Sequence, residues 1–279
     1  MSSTVLGLVR ASHLEPTVAV TVVAGLLAHG VGHAWPGVAA VAATVLASQL
    51  ATGWTNDALD AGRDAAVGRT DKPVAAGAVR RRTVAVAAAV AATATPLLAL
   101  TTNPVAALWA TVGLLSALLY DWPLKSSPVS VLPYAVSFGA LPAFVVLALP
   151  GAPAPPAWLV VAAALLGAGA HFANVLPDLA DDARTGVRGL PHRLGPAGSR
   201  VAAAGLLLAA TVALVVGPPG PPSWLGWSAV AVAAVVPPLG WYGGRAATRA
   251  GGRPVAVFRA VMVVALIDVV LLVASGRVV

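Results

Sequence analysis

A polar segment interrupts this otherwise apolar chain: NDALDAGRDAAVGRTDKPVAAG, which extends from Asn56 to Gly77. A second polar segment, from Asn174 to Gly195, repeats the spacing N-x3-D-x3-D-x3-G-x4-P-x3-G. The matching positions are Asn56, Asp60, Asp64, Gly68, Pro73 and Gly77 in the first segment and Asn174, Asp178, Asp182, Gly186, Pro191 and Gly195 in the second. Gly and Pro are frequent throughout the chain, so the Asn and Asp positions carry most of the weight. The repeat predicts two halves of one site.

The composition indicates a membrane protein. Apolar residues make up 58% of the chain and charged residues 10%, whereas about 25% of a typical soluble domain is charged. One soluble core could not enclose so much Ala, Val and Leu, and a bilayer needs about 20 mainly apolar residues for each spanning helix. The chain has no cysteine, which excludes disulfides and thiolate metal sites.

Nine apolar runs predict a single all-α polytopic membrane domain over residues 1–279. The predicted helices are 17–34, 37–55, 83–101, 104–120, 129–149, 157–177, 199–217, 224–243 and 255–275. The polar segments lie in two predicted Asp-rich loops, 56–82 and 174–198. The residues before Pro16 predict a short interfacial helix. We interpret the first run as a spanning helix and not as a cleaved signal peptide, because eight comparable runs follow it.

The distribution of Lys and Arg predicts the orientation of the chain. A cytoplasmic N-terminus places sixteen of the 17 Lys and Arg residues in or beside cytoplasmic loops. These residues are Arg10, Arg63, Arg69, Lys72, Arg80, Arg81, Arg82, Lys125, Arg184, Arg188, Arg193, Arg200, Arg245, Arg249, Arg253 and Arg259. Cytoplasmic enrichment of Lys and Arg is the usual orientation signal. We therefore expect a multi-pass cell-membrane protein with both Asp-rich loops in the cytoplasm. The same topology explains the net charge of +7 without nucleic acid as a partner.

The positions of the two polar segments predict the architecture. They begin at the cytoplasmic ends of the second and sixth predicted helices. Equivalent helices that enter from the same side indicate a parallel repeat with its pseudo-axis along the membrane normal. We expect two four-helix halves, with the ninth helix added, around a central cavity over which both polar segments converge.

The residue types in the polar segments indicate a metal and phosphate site. On a helix, residues at i, i+4 and i+8 lie roughly on one face, so Asn56, Asp60 and Asp64 share a face, with Asp57 near it. The second set is Asn174, Asp178 and Asp182, with Asp181 as an auxiliary. Five or six carboxylates would repel one another unless cations lie between them. Oxygen ligands favour Mg²⁺, which completes its shell with water and phosphate. The residues that can neutralise a diphosphate are Arg69, Lys72, Lys125, Arg188 and Arg193.

A simpler interpretation is that these acids are solvated loop residues paired with neighbouring arginines. We favour the metal site, because solubility does not require the same spacing in two places on one side of the membrane.

These motifs resemble those of the UbiA superfamily of intramembrane prenyltransferases. Asn56-Asp57-x-x-Asp60-x-x-x-Asp64 resembles the first aspartate-rich motif, and DKPVAAG (71–77) resembles the segment that follows it. DLADD (178–182) is similar to the second motif, and GVRGLPHRLG (186–195) to its continuation. YDWPLK (120–125) is similar to the tyrosine-to-lysine segment between the fourth and fifth helices.

The resemblance implies a nine-helix bundle in which Mg²⁺ and the Asp motifs bind an isoprenyl diphosphate, the allylic C–O bond ionises, and the carbocation alkylates an acceptor. It implies metal-binding roles for Asn56, Asp57, Asp60, Asp64, Asn174, Asp178 and Asp182. It also implies catalytic roles for Asp60, Asp64, Asp178, Asp182 and Lys125, with Tyr120 assisting Lys125 at the diphosphate. The expected acceptor is lipophilic, either aromatic or a quinone precursor. Two alternatives stay open: a terpene cyclase on the same scaffold, and a non-enzymatic protein that binds anionic lipid.

Three departures from the family pattern bear on the substrate. Many members have Arg-Pro at the start of the first helix, where this chain has Glu15-Pro16. Lys72 stands where Arg is common, and Ala180 stands where an acid is frequent. The Glu15 substitution argues against an acidic acceptor such as a hydroxybenzoate.

Four residues outside the motifs are candidates for other roles. His171 and Gln49 each precede a motif Asn or Asp by seven residues, which places them on the same helix face as candidate cavity or acceptor contacts. Trp54 is expected at the cavity mouth. Asp268 lies deep in the ninth run, and we expect it to make a structural hydrogen bond.

Overall fold

The computed structural model describes residues 3–249 and 256–275, and the regular structure in these ranges is helical. The α-helices are α1 (Ser3–Ala11), α2 (Leu14–Gly30), α3 (Trp35–Ala66), α4 (Arg81–Leu100), α5 (Pro104–Asp121), α6 (Leu132–Leu147), α7 (Ala157–Val175), α8 (Leu179–Arg184), α9 (Leu190–Val216), α10 (Trp224–Arg249) and α11 (Ala256–Ser275). A short 3-10 helix, Leu124–Ser126, follows α5. Arg253 and Arg277 lie outside the described residues.

The helices confirm a multi-pass membrane protein. Within the described residues, six helices are long and apolar enough to cross a membrane, or seven if α1 and α2, which are bent by 66°, form one span. The helix α6 is apolar but shorter. Apolar side chains also cover the surface of the bundle: Val90 is 65% exposed and Leu97 is 59% exposed, both on α4. Such exposed stripes suit a lipid solvent. Nine spans in total stays a prediction.

The helices pack as two related groups. In the first group α3 packs most extensively against α4, and in the second its counterpart α7 packs against α9. The groups meet where α5 packs on α6, and α11 packs against α2, α7, α9 and α10. The pairs α3–α4 and α7–α9 occupy equivalent places in the two predicted four-helix halves, which correspond to α2–α5 and to α6–α10 without the short α8.

The first polar segment begins inside a helix, and the predicted loop 56–82 is therefore wrong in its first part. The helix α3 continues through Asn56 to Ala66, because its Ala-rich sequence there contains no Pro. It ends with Gly68 at φ 72°, and the amide of Arg69 donates to the carbonyl of Asp64 at 2.9 Å. A left-handed glycine with this hydrogen bond is a common helix C-terminus.

The second polar segment does not continue its helix, so the prediction that Asn174, Asp178 and Asp182 share one helix face is wrong. The helix α7 ends at Val175, and the short helix α8 begins at Leu179. Between them lies Pro177, which has no amide N–H to continue the helix. The next long helix, α9, also starts before the predicted residue 199, and Gly195 (φ 69°) breaks it.

Candidate active site

The carboxylate of Asp60 is the centre of the cationic contacts in the first polar segment. The ammonium of Lys125 lies 2.5 and 2.6 Å from its two oxygens, and Arg63, one turn further along α3, also pairs with it. The side-chain amide of Asn56 donates to Asp60 Oδ2 at 3.3 Å. The continuous helix thus places Asn56 and Asp60 together, and the 3-10 helix after α5 supplies Lys125.

Arg69 joins the two polar segments. Its guanidinium makes two hydrogen bonds of 2.8 Å to Asp71 and a third of 3.2 Å to Oδ1 of Asp178. The hydrogen bonds with Asp71 raise the pKa of Arg69, and the negative charge of Asp178 raises it further. The two segments therefore converge at one end of the bundle, as the repeat predicts.

Asp182 faces the first segment from the second half. Its pKa is raised to about 6, mainly by burial, because a carboxylate is less stable away from water. The negative charges of Asp178 and Asp60 contribute to this increase, whereas Lys125 and Arg63 oppose it. The charge of Lys125, which pairs with Asp60, is thus also felt at Asp182. His192 is the nearest imidazole, with Nε2 at 3.7 Å from Asp182 Oδ2.

The remaining predicted residues of the second segment lie at the solvent-exposed margin of the candidate site. Asn174 is exposed, and its amide donates to the hydroxyl of Tyr134 at 3.0 Å. Asp181 pairs with Arg184. Arg188 and Arg193 are exposed.

Asp57 and Lys72 form a separate buried ion pair. The carboxylate of Asp57 is 1% exposed and accepts hydrogen bonds from Lys72 Nζ at 2.7 Å and from His13 Nε2 at 3.0 Å. Lys72 Nζ lies 3.0 Å from the same ring nitrogen. Asp57 thus pairs with a different set of partners from Asp60, although the two residues are neighbours on α3. This pairing ties the start of α2 and the loop after α3 to the site helix.

Aromatic rings surround His171 beside the second segment. Tyr120 and Tyr134 meet edge to face at 4.8 Å, and both contact the imidazole of His171. His171 is 1% exposed, and its Nε2 lies 3.0 Å from the hydroxyl of Ser130. The same hydroxyl accepts a hydrogen bond from the amide of Leu190 at 2.9 Å, so Ser130 links His171 to the start of α9. A packed, hydrogen-bonded histidine is the role that these contacts support.

A cavity lies among the helices α2 to α6. It is lined by apolar residues, including Val20, Val45, Leu114, Leu141 and Phe144, and by the polar residues Thr44, Ser48, Gln49, Thr95 and Ser137. Gln49 precedes Asn56 by two turns of α3, so the cavity opens on the helix that carries the first polar segment. We expected a cavity walled by both halves, whereas only α6 of the second half contributes to this one. The close contact of α6 with α5 explains that contribution.

Three residues noted in the sequence have other contacts. Trp54 donates its indole N–H to the carbonyl of Leu8 at 2.9 Å and so holds α1 against α3. Asp268 accepts a hydrogen bond of 2.6 Å from Thr211, which confirms its expected structural role. Glu15 pairs with Arg259 at 2.7 Å, and both side chains are exposed.

The donors at this end of the bundle suit Mg²⁺. They are carboxylate and amide oxygens from both segments, which are the ligands that hard cations prefer. Among the residues that the structure describes, no group of three or more His, Asp or Glu side chains is arranged to hold a metal ion. The carboxylates are neutralised by Lys125, Arg63 and Arg69 instead. The donor chemistry therefore fits the ion, and its binding requires these cationic side chains to give up their carboxylate partners.

Sequence comparison identifies the family to which this chain belongs. The profile of the UbiA prenyltransferase family matches residues 17–267, which is most of the chain. The chain belongs to the UbiA prenyltransferase family. None of the curated protein sequences matches it.

Solved structures of UbiA proteins share the fold over almost the whole chain. A UbiA homologue from Aeropyrum pernix K1 is 22% identical with a TM-score of 0.70, over 94% of this chain and 96% of that one. A UbiA homologue from Archaeoglobus fulgidus, bound to GPP and Mg²⁺, is 13% identical with a TM-score of 0.68, over 96% and 99%. A digeranylgeranylglyceryl phosphate synthase structure is 16% identical with a TM-score of 0.67, over 99% of both chains.

The structure also adds residues that the sequence reasoning passed over. Asp121 is 3% exposed and accepts from the amide of Asn56 at 3.2 Å. Gly189 packs so closely that an added Cβ would overlap the carbonyl oxygen of Lys125. The signal for Asp121 was its position between Tyr120 and Lys125 in a motif, whereas nothing local distinguishes Gly189 from the many other glycines.

The buried pair of Asp57 and Lys72 leads to a stability prediction. Replacing Asp57 by Ala leaves the ammonium of Lys72, which is 15% exposed, without its carboxylate. Breaking a buried pair in this way costs about 3–5 kcal/mol. We expect a clear drop in the midpoint of thermal unfolding in detergent. The control is Glu15→Ala, because Glu15 and its partner Arg259 are 56% and 60% exposed and exposed pairs contribute little to stability. Equal drops for both variants would contradict the prediction.

Proposed function

We propose that this protein is an Mg²⁺-dependent intramembrane prenyltransferase that transfers an isoprenyl group from a prenyl diphosphate to a lipophilic acceptor, either aromatic or a quinone precursor. The observation that supports it best is the convergence of the two polar segments, in which Arg69 of the first contacts Asp178 of the second, while Lys125 pairs with Asp60. The relative from Archaeoglobus fulgidus that holds GPP and Mg²⁺ supports the same assignment.

The metal site would use oxygen ligands from both halves. We assign metal binding to Asn56, Asp60, Asp64, Asn174, Asp178 and Asp182. Asp57, which was also expected to bind the metal, is better explained as the partner that holds Lys72. When bound, Mg²⁺ neutralises charge that develops on the diphosphate leaving group.

Lys125 and Arg69 are the cations best placed to bind the diphosphate. Both already lie against carboxylates of the site, and each can turn from a carboxylate to a phosphate oxygen, which is an equally good acceptor. A fixed positive charge beside the leaving oxygen stabilises the transition state more than the ground state. We assign the more exposed Arg188 and Arg193 to the entry of the anionic substrate, and Lys72 to the edge of the site.

The cavity among α2 to α6 suits the prenyl tail. Its apolar walls keep water from the allylic cation that forms when the C–O bond breaks and its electron pair leaves with the diphosphate. The acceptor then supplies the electron pair for the new bond and releases a proton. Gln49 is the polar side chain of the cavity nearest in sequence to the metal site, so it is our candidate for orienting the acceptor.

Loss of one carboxylate from either segment should abolish turnover. We expect Asp60→Asn and Asp178→Asn each to lower the rate of prenyl diphosphate consumption about 100-fold or more, as is typical when one stabilising group for transition-state charge is removed. Release of diphosphate from geranyl, farnesyl or geranylgeranyl diphosphate with Mg²⁺ would be measured. Asp268→Asn is the control, because Asp268 contacts Thr211 away from the polar segments. Full consumption by both site variants would overturn the metal-site assignment, whereas no consumption by the unsubstituted protein would support a protein that only binds anionic lipid.

An assay without acceptor separates the transferase from a terpene cyclase. Both need the same ionisation site, but in a cyclase a double bond of the substrate itself captures the cation. We expect purified protein with Mg²⁺ and each of the three diphosphates to give only slow hydrolysis. Cyclic hydrocarbons or cyclic alcohols among the products would overturn the transferase assignment.

We further propose that the polar segments face the cytoplasm. The chain has no cysteine of its own, so single cysteines report accessibility without background. Thr70 and Ala154 are both exposed and lie in loops on opposite sides in the proposed topology. We expect a membrane-impermeant thiol reagent added outside intact cells to label Ala154→Cys and not Thr70→Cys, and both to be labelled after permeabilisation. Labelling of Thr70→Cys in intact cells would reverse the orientation.

A further inference from the structure

Asp121 is a buried carboxylate beside the proposed metal site that the assigned reaction does not use. It is the last residue of α5 and is 3% exposed. Oδ1 accepts a hydrogen bond of 3.2 Å from the side-chain amide of Asn56. Within the described part of the chain, Oδ2 is buried and has no hydrogen-bond partner. Burying a carboxylate is costly, so the presence of Asp121 at this position requires a physical reason.

The contacts of Asn56 define which way its amide points. Its Nδ2 lies 3.2 Å from Asp121 Oδ1 and 3.3 Å from Asp60 Oδ2. The NH₂ group is therefore the part of the amide that faces both carboxylates and donates to them. The carbonyl oxygen of the Asn56 amide therefore points away from both. That oxygen is the only atom of the side chain that can bind a hard cation.

We propose that Asp121 is a positioning residue that holds the amide of Asn56 with its oxygen presented to the metal. This inference rests on the proposed function. Asp60 alone cannot serve this purpose, because its own oxygens are proposed metal ligands and are already shared with Lys125. Asp121 lies on another helix, and the proposed metal site does not use its oxygens as ligands. Groups that hold a metal ligand in place typically change metal affinity about 10–100-fold when they are removed.

The geometry predicts which substitutions of Asp121 are tolerated. Asp121→Asn keeps a side-chain oxygen that can accept from Asn56, so it should retain most of the metal affinity. Asp121→Ala removes the acceptor and lets the amide of Asn56 rotate. Asn56→Asp places a carboxylate against those of Asp121 and Asp60. Combining Asn56→Asp with Asp121→Asn removes the repulsion at position 121 and restores one donor and one acceptor there in exchanged positions, with an oxygen still available to the metal.

Binding of Mn²⁺, a paramagnetic substitute for Mg²⁺, tests the proposal without requiring turnover. Free Mn²⁺ would be titrated by electron paramagnetic resonance with the purified full-length protein in detergent, in the presence of inorganic pyrophosphate. We expect about 10–100-fold weaker binding for Asp121→Ala, binding close to that of the original chain for Asp121→Asn, weak binding for Asn56→Asp, and recovery in the double variant. Thermal unfolding of each variant is measured in parallel.

The outcomes separate the two proposals. If the unsubstituted protein does not bind Mn²⁺, the proposed function fails. If it binds Mn²⁺ and folded Asp121→Ala binds equally well, the positioning role is overturned and the proposed function stands. If Asp121→Ala does not fold, the double variant decides. If the double variant does not recover the Mn²⁺ affinity that Asn56→Asp loses, the positioning role is overturned.

Discussion

Carboxylates from two halves of one helical bundle meet at the same end, and their mutual repulsion constrains that whole region. Two unit charges about 4 Å apart interact by about 4 kcal/mol near a protein surface, so the acids can converge only with positive charge between them. Lys125 and Arg69 provide that charge, each bound to an acid of the polar segments. The loops that carry these two cations are therefore as much a part of the site as the helices that carry the acids.

The same constraint explains why the cations come from connecting segments. A spanning helix in lipid can carry few charges, so the charges collect where α3 and α7 leave the apolar layer. Rigid helices position the ligands, while the loops supply cations that can exchange one anionic partner for another. The proposed function needs both properties, because a site that alternates between binding and releasing a diphosphate requires cations that are not permanently paired.

Two buried acids, Asp57 and Asp121, each keep one oxygen without a hydrogen-bond partner among the described residues. Unsatisfied buried oxygens are uncommon in folded proteins and concentrate at functional sites. Both acids flank the first polar segment, one on α3 itself and the other on α5. Their other oxygens hold Lys72 and Asn56. This part of the bundle retains costly buried charge where the site needs its side chains held in place.

The sequence by itself indicated that the chain lies in a lipid bilayer and is helical, because both follow from its composition and its long apolar runs. It also revealed the repeat and the residue types of the candidate site, because these follow from spacing along the chain. It also indicated that Asn56 and Asp60 share a helix. The helix break at Pro177 could also be read from the sequence, because proline has no amide N–H to continue a helix. Only the tertiary structure decided that Asp121 contacts Asn56 and that Arg69 contacts Asp178. Those outcomes depend on which side chains of distant segments meet, and that is set by packing between segments.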